Sequence, residues 1–393
     1  MPHQDHQTTV GSTNTSTAFS AEEHEWMRLA LSIAKKGEYS TTPNPAVGCV
    51  IVDVNGQLIG QGYHQQAGQP HAEVFALQQA GKLAEGATAY VTLEPCSHQG
   101  RTPACAAALI KARVSRVIIA TTDSNPLVNN AGIDMLEAAG VIVSVGLLAE
   151  QAALLNRAFL YRMQTTLPWI CVKLAASVDG KTALHNGISK WITSDLARAD
   201  VQDFRARHCA ILTGADTILA DNPHLNVRPA TLSDDARSCF LNRAKQPLRV
   251  VIDSKNRLSD SFNIFQDGQP VLVLNAAHNK NLTSTAVRQH QLPLNATSTY
   301  LDLPSAMLYL GTLALNSIWV EAGARLTGAL FDQGCVNQLI LYQAPKILGF
   351  NAKSLINSKQ IDVLSDAIDL KLNEMVQIGD DLRLSYEITN KDK

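Results

Sequence analysis

The sequence predicts an α/β protein in two parts: an α/β/α-layered domain over residues 21–166, preceded by a disordered tail over 1–20, and a second α/β domain over 167–393. Three observations predict it. Apolar segments alternate between helical and strand spacing in both halves, which makes sheets covered by helices. The alternation pauses at Thr165 to Pro168, a linker, and restarts at Trp169. At about 150 residues per domain, 393 residues are too many for one ordinary core.

Composition narrows the class. With 46% apolar and 17% charged residues the chain reads as compact and globular. A net charge of −2 offers no general attraction to nucleic acid or to an anionic membrane, so small substrates are expected. Seven scattered cysteines do not resemble a disulfide framework, and the thiols are expected to be reduced. The N-terminal twenty residues are polar and lack an apolar signal region, and no apolar run approaches membrane-spanning length. A cytoplasmic enzyme with no membrane partner is expected, and a homo-oligomer.

Taken in order, Ser20 and Glu23 form a capping box, and Trp26, Leu29, Ala30 and Ile33 recur at helical spacing until Gly37. Val47 to Val52 and Leu58 to Gly62 flank Asn55-Gly56, a hairpin signal. Asn44, in T-P-N-P, is either a turn former or a hydrogen-bonding residue for a sugar or base. Helix 71–80, strand 87–93, helix 103–112, strand 116–121, helix 131–139, strand 141–145 and helix 149–164 follow. Asp123, Asn125 and Pro126 come after a strand end, where ligands of α/β proteins gather, or they cap a loop. In the second half WICVKLAAS is a strand, then a Gly-rich loop and the helix SDLARADVQDFRARH. Later strands are AILTG, LRVVIDS, VLVLNAA, SIWVEAG and NQLILYQA, with a terminal hairpin between Met375 and Ile388 in a mixed sheet. SIWVEAGARLTGAL runs from strand through Gly323 into a helix whose free amides could cradle phosphate, or it is an ordinary strand-to-helix turn.

The chemistry concentrates in residues 70–105. One imidazole (His71), a carboxylate two positions on (Glu73) and two thiols (Cys96, Cys105) each stand beside a predicted helix start, where free N–H groups lower thiolate pKa. Three soft ligands leave one of zinc's four positions open, as a catalytic site requires. Zinc lowers the pKa of water to about 7, and Glu73 is placed to move the proton. H-x-E followed by P-C-x-x-C marks zinc nucleobase deaminases. Here eight residues separate the thiols, and they carry His98, Arg101 and Thr102, which could line a pocket for an anionic substrate. The alternative is a closed structural site with His98 as fourth ligand, which has no use for Glu73.

TTPNPAVGCVIV, HAEVFAL, VTLEPCSHQGRTPAC, KLAASVDGKTA, WITS, TILADNPHLNVR, VIDS and VEAG together resemble the bifunctional riboflavin-biosynthesis deaminase/reductases, from about residue 24 to the C-terminus. The resemblance implies a cytidine-deaminase-like domain followed by a dihydrofolate-reductase-like one, using Zn2+ and NADPH. It implies that His71, Cys96 and Cys105 hold zinc and that Glu73 donates the proton. Ala175, Trp191, Thr217, Asp221, Ser254 and the run Gly323, Ala324, Arg325, Leu326, Thr327, Gly328, Ala329 would meet the cofactor. Ser189, Arg205, Leu225, Arg228 and Glu321 would meet substrate. The chain departs from the family at Pro103-Ala104, at Ala324 and in LVNNAG, the last at the rim of the deaminase site.

The expected reaction sequence is hydrolytic deamination of a phosphorylated diaminohydroxypyrimidine, then hydride addition to its sugar to give a ribityl chain. Lys173, Asp179 and Glu321 are candidates for the acid of the second step, Asp179 being as readily a loop ion-pair residue. A nucleoside or transfer-RNA deaminase with an appended nucleotide-binding domain is the rival enzyme, but no basic run is present. A zinc-stabilised regulator without turnover would not need Glu73.

Overall fold

The computed structural model describes residues 19–97, 104–124, 130–189, 192–243 and 246–389. The calls on the tail up to residue 18 and on His98, Arg101, Thr102, Asn125, Pro126 and Trp191 lie outside them. Phe19, assigned to the tail, packs against the first helix's core and Ser20 caps that helix, so ordered structure begins before residue 21.

The first half starts with α1 (Ala21–Ala34), whose Ser20–Glu23 capping box forms as read. A hairpin of β1 (Gly48–Val52) and β2 (Leu58–Tyr63) follows, then α2 (Ala72–Ala80), β3 (Thr88–Val91), α3 (Cys105–Lys111), β4 (Arg116–Ile119), α4 (Ala131–Ala138), β5 (Ile142–Val145), α5 (Ala149–Leu155) and α6 (Arg157–Thr165). The strands make one sheet in the order β2-β1-β3-β4-β5, antiparallel through the hairpin and parallel from β3 to β5. Separate apolar cores lie on its two faces. Glycine lets the covering helices approach closely: a Cβ at Gly48 would stand 2.1 Å from Ala30 O of α1, and one at Gly60 would stand 2.2 Å from Ala76 O of α2.

The single helix expected over 149–164 is two. Asn156 departs from helical geometry (φ −106°) because its buried amide bonds the backbone of Ala46, accepting from its N–H and donating to its C=O, both at 2.8 Å. This tie fastens the T-P-N-P loop. It also frees α6 to turn its Ala158 and Tyr161 onto the core of the second half, with Tyr161 edge-on to Trp169 at 5.5 Å.

The second half contains β6 (Trp169–Ser177), β7 (Lys181–Ala183), α7 (Asp195–Arg207), β8 (Ala210–Gly214), α8 (Ala215–Asp221), α9 (Asp234–Leu241), β9 (Leu248–Ile252), β10 (Val271–Asn275), β11 (Val287–Gln291), α10 (Leu303–Thr312), β12 (Ser317–Val320), α11 (Ala324–Asp332), β13 (Gln338–Ala344), β14 (Lys353–Ser354), β15 (Leu370–Ile378) and β16 (Asp381–Ile388). Nine strands pair in the order β11-β10-β9-β8-β12-β6-β13-β16-β15. The run from β11 to β13 is parallel and the terminal hairpin antiparallel, so the sheet is mixed as expected. Parallel central strands buried on both faces explain their near-continuous apolar sequences.

The halves also touch through polar contacts. Tyr39 donates to Asp203 (2.7 Å), Asn316 to Pro43 O (2.9 Å) and Arg157 to Gln338 (2.8 Å), around a cavity of about 150 Å³.

Candidate active sites

In the first half, three short elements deliver the donors. His71 is the N-cap of α2, Cys105 opens α3, and Cys96 follows β3. The His71 Nδ1 atom lies 3.6 Å from Cys96 Sγ and 3.3 Å from Cys105 Sγ, and the three ligand atoms are all within 4.8 Å of one another. With Zn–S near 2.3 Å and Zn–N near 2.1 Å, a tetrahedral ion needs ligand-to-ligand edges of roughly 3.5–3.8 Å. The donor set fits zinc.

The described residues around Cys96, 94–97, are not helical. The Cys96 sulfur accepts from the backbone N–H of Cys105, at 3.4 Å, so the amide of α3 reaches it across space. The two thiols hold one proton between them. The Cys105 hydrogen bond pulls Cys96 down to about 4 against its burial, and the same bond together with burial pushes Cys105 up.

Glu73, in the first turn of α2, is 2% exposed. Burial raises its carboxyl pKa, and its Oε2 has no hydrogen-bond partner. Buried acceptors are nearly always satisfied, so an orphaned carboxylate oxygen beside three converging donors marks the place of a further group. The sequence reading overlooked His64. Its ring lies edge-on to His71 at 5.1 Å, with Nδ1 3.1 Å from Pro70 O and Nε2 3.0 Å from the Asn44 amide. Asn44, whose own N–H closes a turn on Thr41 O at 2.9 Å, is thereby tied to the ring next to His71.

In the second half, the ends of β8, β9 and β12 open on a cavity of about 530 Å³. Gly323 caps α11 without a side-chain bond, and a Cβ there would meet nothing within 4 Å, leaving the first amides of α11 for an anion. Of the residues expected at the cofactor, Thr217, Ser254, Gly323, Ala324, Arg325, Leu326 and Ala329 line the cavity. Ser254 Oγ accepts from Leu301 N at 3.2 Å. Thr327 and Gly328 do not line it: Thr327 is fully buried with its hydroxyl on Ala322 O, and a Cβ at Gly328 would strike Asn357 O. They pack α11 from behind. Ala175 packs against an apolar core instead, and Asp221 ends α8 exposed.

Two residues before Gly323, Glu321 forms a two-pronged ion pair with Arg205, Nε at 2.6 Å and Nη2 at 2.8 Å, and accepts from Trp319 Nε1 at 2.8 Å. Burial would raise the Glu321 carboxyl, but Arg205 and Lys173 hold it at about 2. Lys173 is also shifted down: burial lowers its pKa, partly offset by Glu321. Arg205 also donates to Asn226 O (2.9 Å), next to buried Leu225, while Arg228 and Ser189 are exposed. Asp179 is a loop tie. It accepts from Ser177 Oγ (2.5 Å), Leu348 N (3.1 Å) and Gly349 N (2.8 Å), which hold it at about 2, so at neutral pH it is ionised and a poor acid.

Known proteins match both halves. The family described as cytidine and deoxycytidylate deaminase zinc-binding region matches residues 20–121, and that described as RibD C-terminal domain matches 168–384. Riboflavin biosynthesis protein RibD of Haemophilus influenzae is 45% identical over 372 residues, covering 94% of this chain and 98% of its own. That of Escherichia coli is 46% identical over 364 residues, covering 92% and 98%. The structure of Acinetobacter baumannii RibD superposes with a TM-score of 0.86 at 41% identity, covering 94% of this chain and 99% of that one. A diaminohydroxyphosphoribosylaminopyrimidine deaminase/5-amino-6-(5-phosphoribosylamino)uracil reductase from Thermotoga maritima gives 0.81 at 30% identity with the same coverage. With both halves matched and relatives above 40% identity covered almost end to end, the chain belongs to the RibD family of riboflavin-biosynthesis enzymes, which join a zinc-dependent pyrimidine deaminase to an NADPH-dependent reductase.

Proposed function

We propose that His71, Cys96 and Cys105 hold the zinc, and that Glu73 is the proton carrier of the deamination. The observation that carries this reading is the unpartnered, buried Glu73 Oε2 beside the three donors. Zinc, when bound, supplies a Lewis acid that acidifies water. Glu73, with its pKa raised by burial, takes the proton of that water as its oxygen bonds to the amine-bearing ring carbon. Glu73 then returns the proton to the departing nitrogen, which leaves as ammonia. Asn44, oriented by His64, holds the pyrimidine's sugar or base edge.

In the second half Ser254 and the run from Gly323 to Leu326 would hold NADPH, which would supply the hydride for the anomeric carbon of the ring-opened sugar. Lys173 donates the accompanying proton, since a lysine with a lowered pKa is the acid that Asp179 and Glu321, both ionised, cannot be. Glu321 and Arg205 fix the sugar and its phosphate, with Leu225 closing the pocket. Ser189 and Arg228 complete the substrate side, and Trp191 meets the cofactor. The substrate is a small phosphorylated pyrimidine and not a nucleic acid. Among the described residues no helix is long and apolar enough to cross a membrane, and we place the enzyme in the cytoplasm as a homo-oligomer. The test is to incubate the protein with the diamino substrate, with and without NADPH, following ammonia and NADPH absorbance separately. Ammonia release should need no NADPH; NADPH oxidation should need prior deamination.

A further inference from the structure

The cavity at the ends of β8, β9 and β12 has a basic rim. Lys255, Arg257, Arg325 and Lys353 line it, and among its described lining residues Asp216 is the single carboxylate. That carboxylate bridges two of the cations. Its Oδ1 accepts from Arg257 Nη2 at 2.7 Å, and its Oδ2 stands 3.4 Å from Arg325 Nη1. Arg257 comes from the loop after β9, Arg325 from the first turn of α11 and Asp216 from the first turn of α8, so three segments remote in sequence converge on one charge cluster.

A carboxylate with one oxygen on each of two guanidiniums is exchangeable for a phosphate monoester, because guanidinium donates to either anion. Arg257 and Arg325 would repel each other without an anion between them. All three side chains are partly exposed, Asp216 at 46%, Arg257 at 41% and Arg325 at 67%, so they can exchange partners. We propose that Asp216 is an internal placeholder for the 2′-phosphate of NADPH: it keeps Arg257 and Arg325 gathered while the cavity is free and cedes both guanidiniums to the incoming phosphate. Asp216 is therefore a specificity-determining residue, and its charge limits how tightly the phosphorylated cofactor binds. This inference rests on the reading of the cavity as the NADPH site.

Binding of NADPH, NADH, 2′,5′-ADP and 5′-ADP to the full-length protein, followed by nucleotide or protein fluorescence at low salt, tests it without turnover. Asp216→Asn keeps the shape and removes the competing charge. It should tighten NADPH and 2′,5′-ADP by roughly three- to tenfold, leave NADH and 5′-ADP within about twofold, and lose that advantage at high salt. Arg257→Gln or Arg325→Gln should weaken NADPH by roughly ten- to a hundredfold and NADH far less, the size of a lost charge-assisted contact. Gly323→Asp separates the two levels of inference. Aspartate is a favourable helix N-cap and meets no neighbour, so the fold is kept, while its charge confronts the cofactor's pyrophosphate. It should abolish binding of NADPH and NADH alike. Unchanged binding in Gly323→Asp would overturn the cavity reading itself. Loss in Gly323→Asp with Asp216→Asn either unchanged or weakened equally for both cofactors would overturn the placeholder alone.

Discussion

Replacing Arg205 by methionine keeps most of the side-chain volume and leaves Glu321 buried with a single nearby cation, Lys173. The Glu321 carboxyl sits at about 2 against an ordinary 4.5, and at about 1.4 kcal/mol per pKa unit this difference corresponds to about 3 kcal/mol of stability from its cationic surroundings. An independent estimate agrees, since breaking one side of a buried ion pair costs about 3–5 kcal/mol. In a domain of this size that is a fall of roughly 6–12 °C in the melting temperature of the reductase half at pH 7. The pH dependence separates charge from packing. A carboxyl depressed in the folded state stabilises above its unfolded pKa and loses that contribution as pH falls through its folded value, so the wild-type advantage should fade between pH 4.5 and 2. Thermal unfolding followed by tryptophan fluorescence reads it directly, because Trp319 donates to Glu321 and stacks on Phe204 at 4.9 Å. A loss below about 1 kcal/mol at pH 7, or one that does not change with pH, would show that Arg205 acts by packing and that the buried pair is not what organises the reductase site.

Three further outcomes are expected. Cys105→Ser exchanges a thiolate for a poor zinc ligand, so zinc content and ammonia release should fall together; full zinc with normal turnover would redraw the ligand set to include His98. Burial holds His208 near 3 as a neutral ring, so below pH 6.5 the unfolded chain takes up a proton that the folded one does not. Urea unfolding of the wild type should weaken by about 2 kcal/mol more than that of His208→Gln between pH 6.5 and 5. The two halves should separate between Thr165 and Pro168 into a zinc-binding and an NADPH-binding fragment. A reductase fragment that begins at Arg157 and so keeps Ala158 and Tyr161 on its core should melt above one that begins at Leu167; equal melting would assign α6 to the deaminase.

Local signals carried most of the architecture. The Ser20 capping box, the Asn55-Gly56 turn and the apolar strands from Trp169 onward announce elements through residues that are neighbours in sequence. The three clustered donors were legible for the same reason: His71 and Glu73 share one helix start, and the thiols follow one strand. What escaped reading depends on contacts across the fold. The break at Asn156 exists because its amide reaches Ala46, 110 residues away. Cys96 owes its low pKa first to the Cys105 side chain, which the fold brings against it from the start of α3. Asp216 meets Arg257 and Arg325 only because the sheet order sets β9, β8 and β12 side by side. Of two missed elements, one had a signal. Asp302 ahead of Leu303-Pro304 caps α10 and was readable as a helix start, whereas β11, the polar edge strand VRQHQ, offers little apolar alternation.

The central claim is that one chain runs two separable chemistries, with Glu73 serving only the first, and Glu73→Gln tests it most directly. Glutamine preserves the shape and cannot carry the proton. With the diamino substrate the variant should hold its full complement of zinc, release no ammonia and oxidise no NADPH, yet oxidise NADPH at the wild-type rate when given the deaminated compound. Ammonia release at an undiminished rate, or loss of NADPH oxidation with the deaminated compound, would contradict the account.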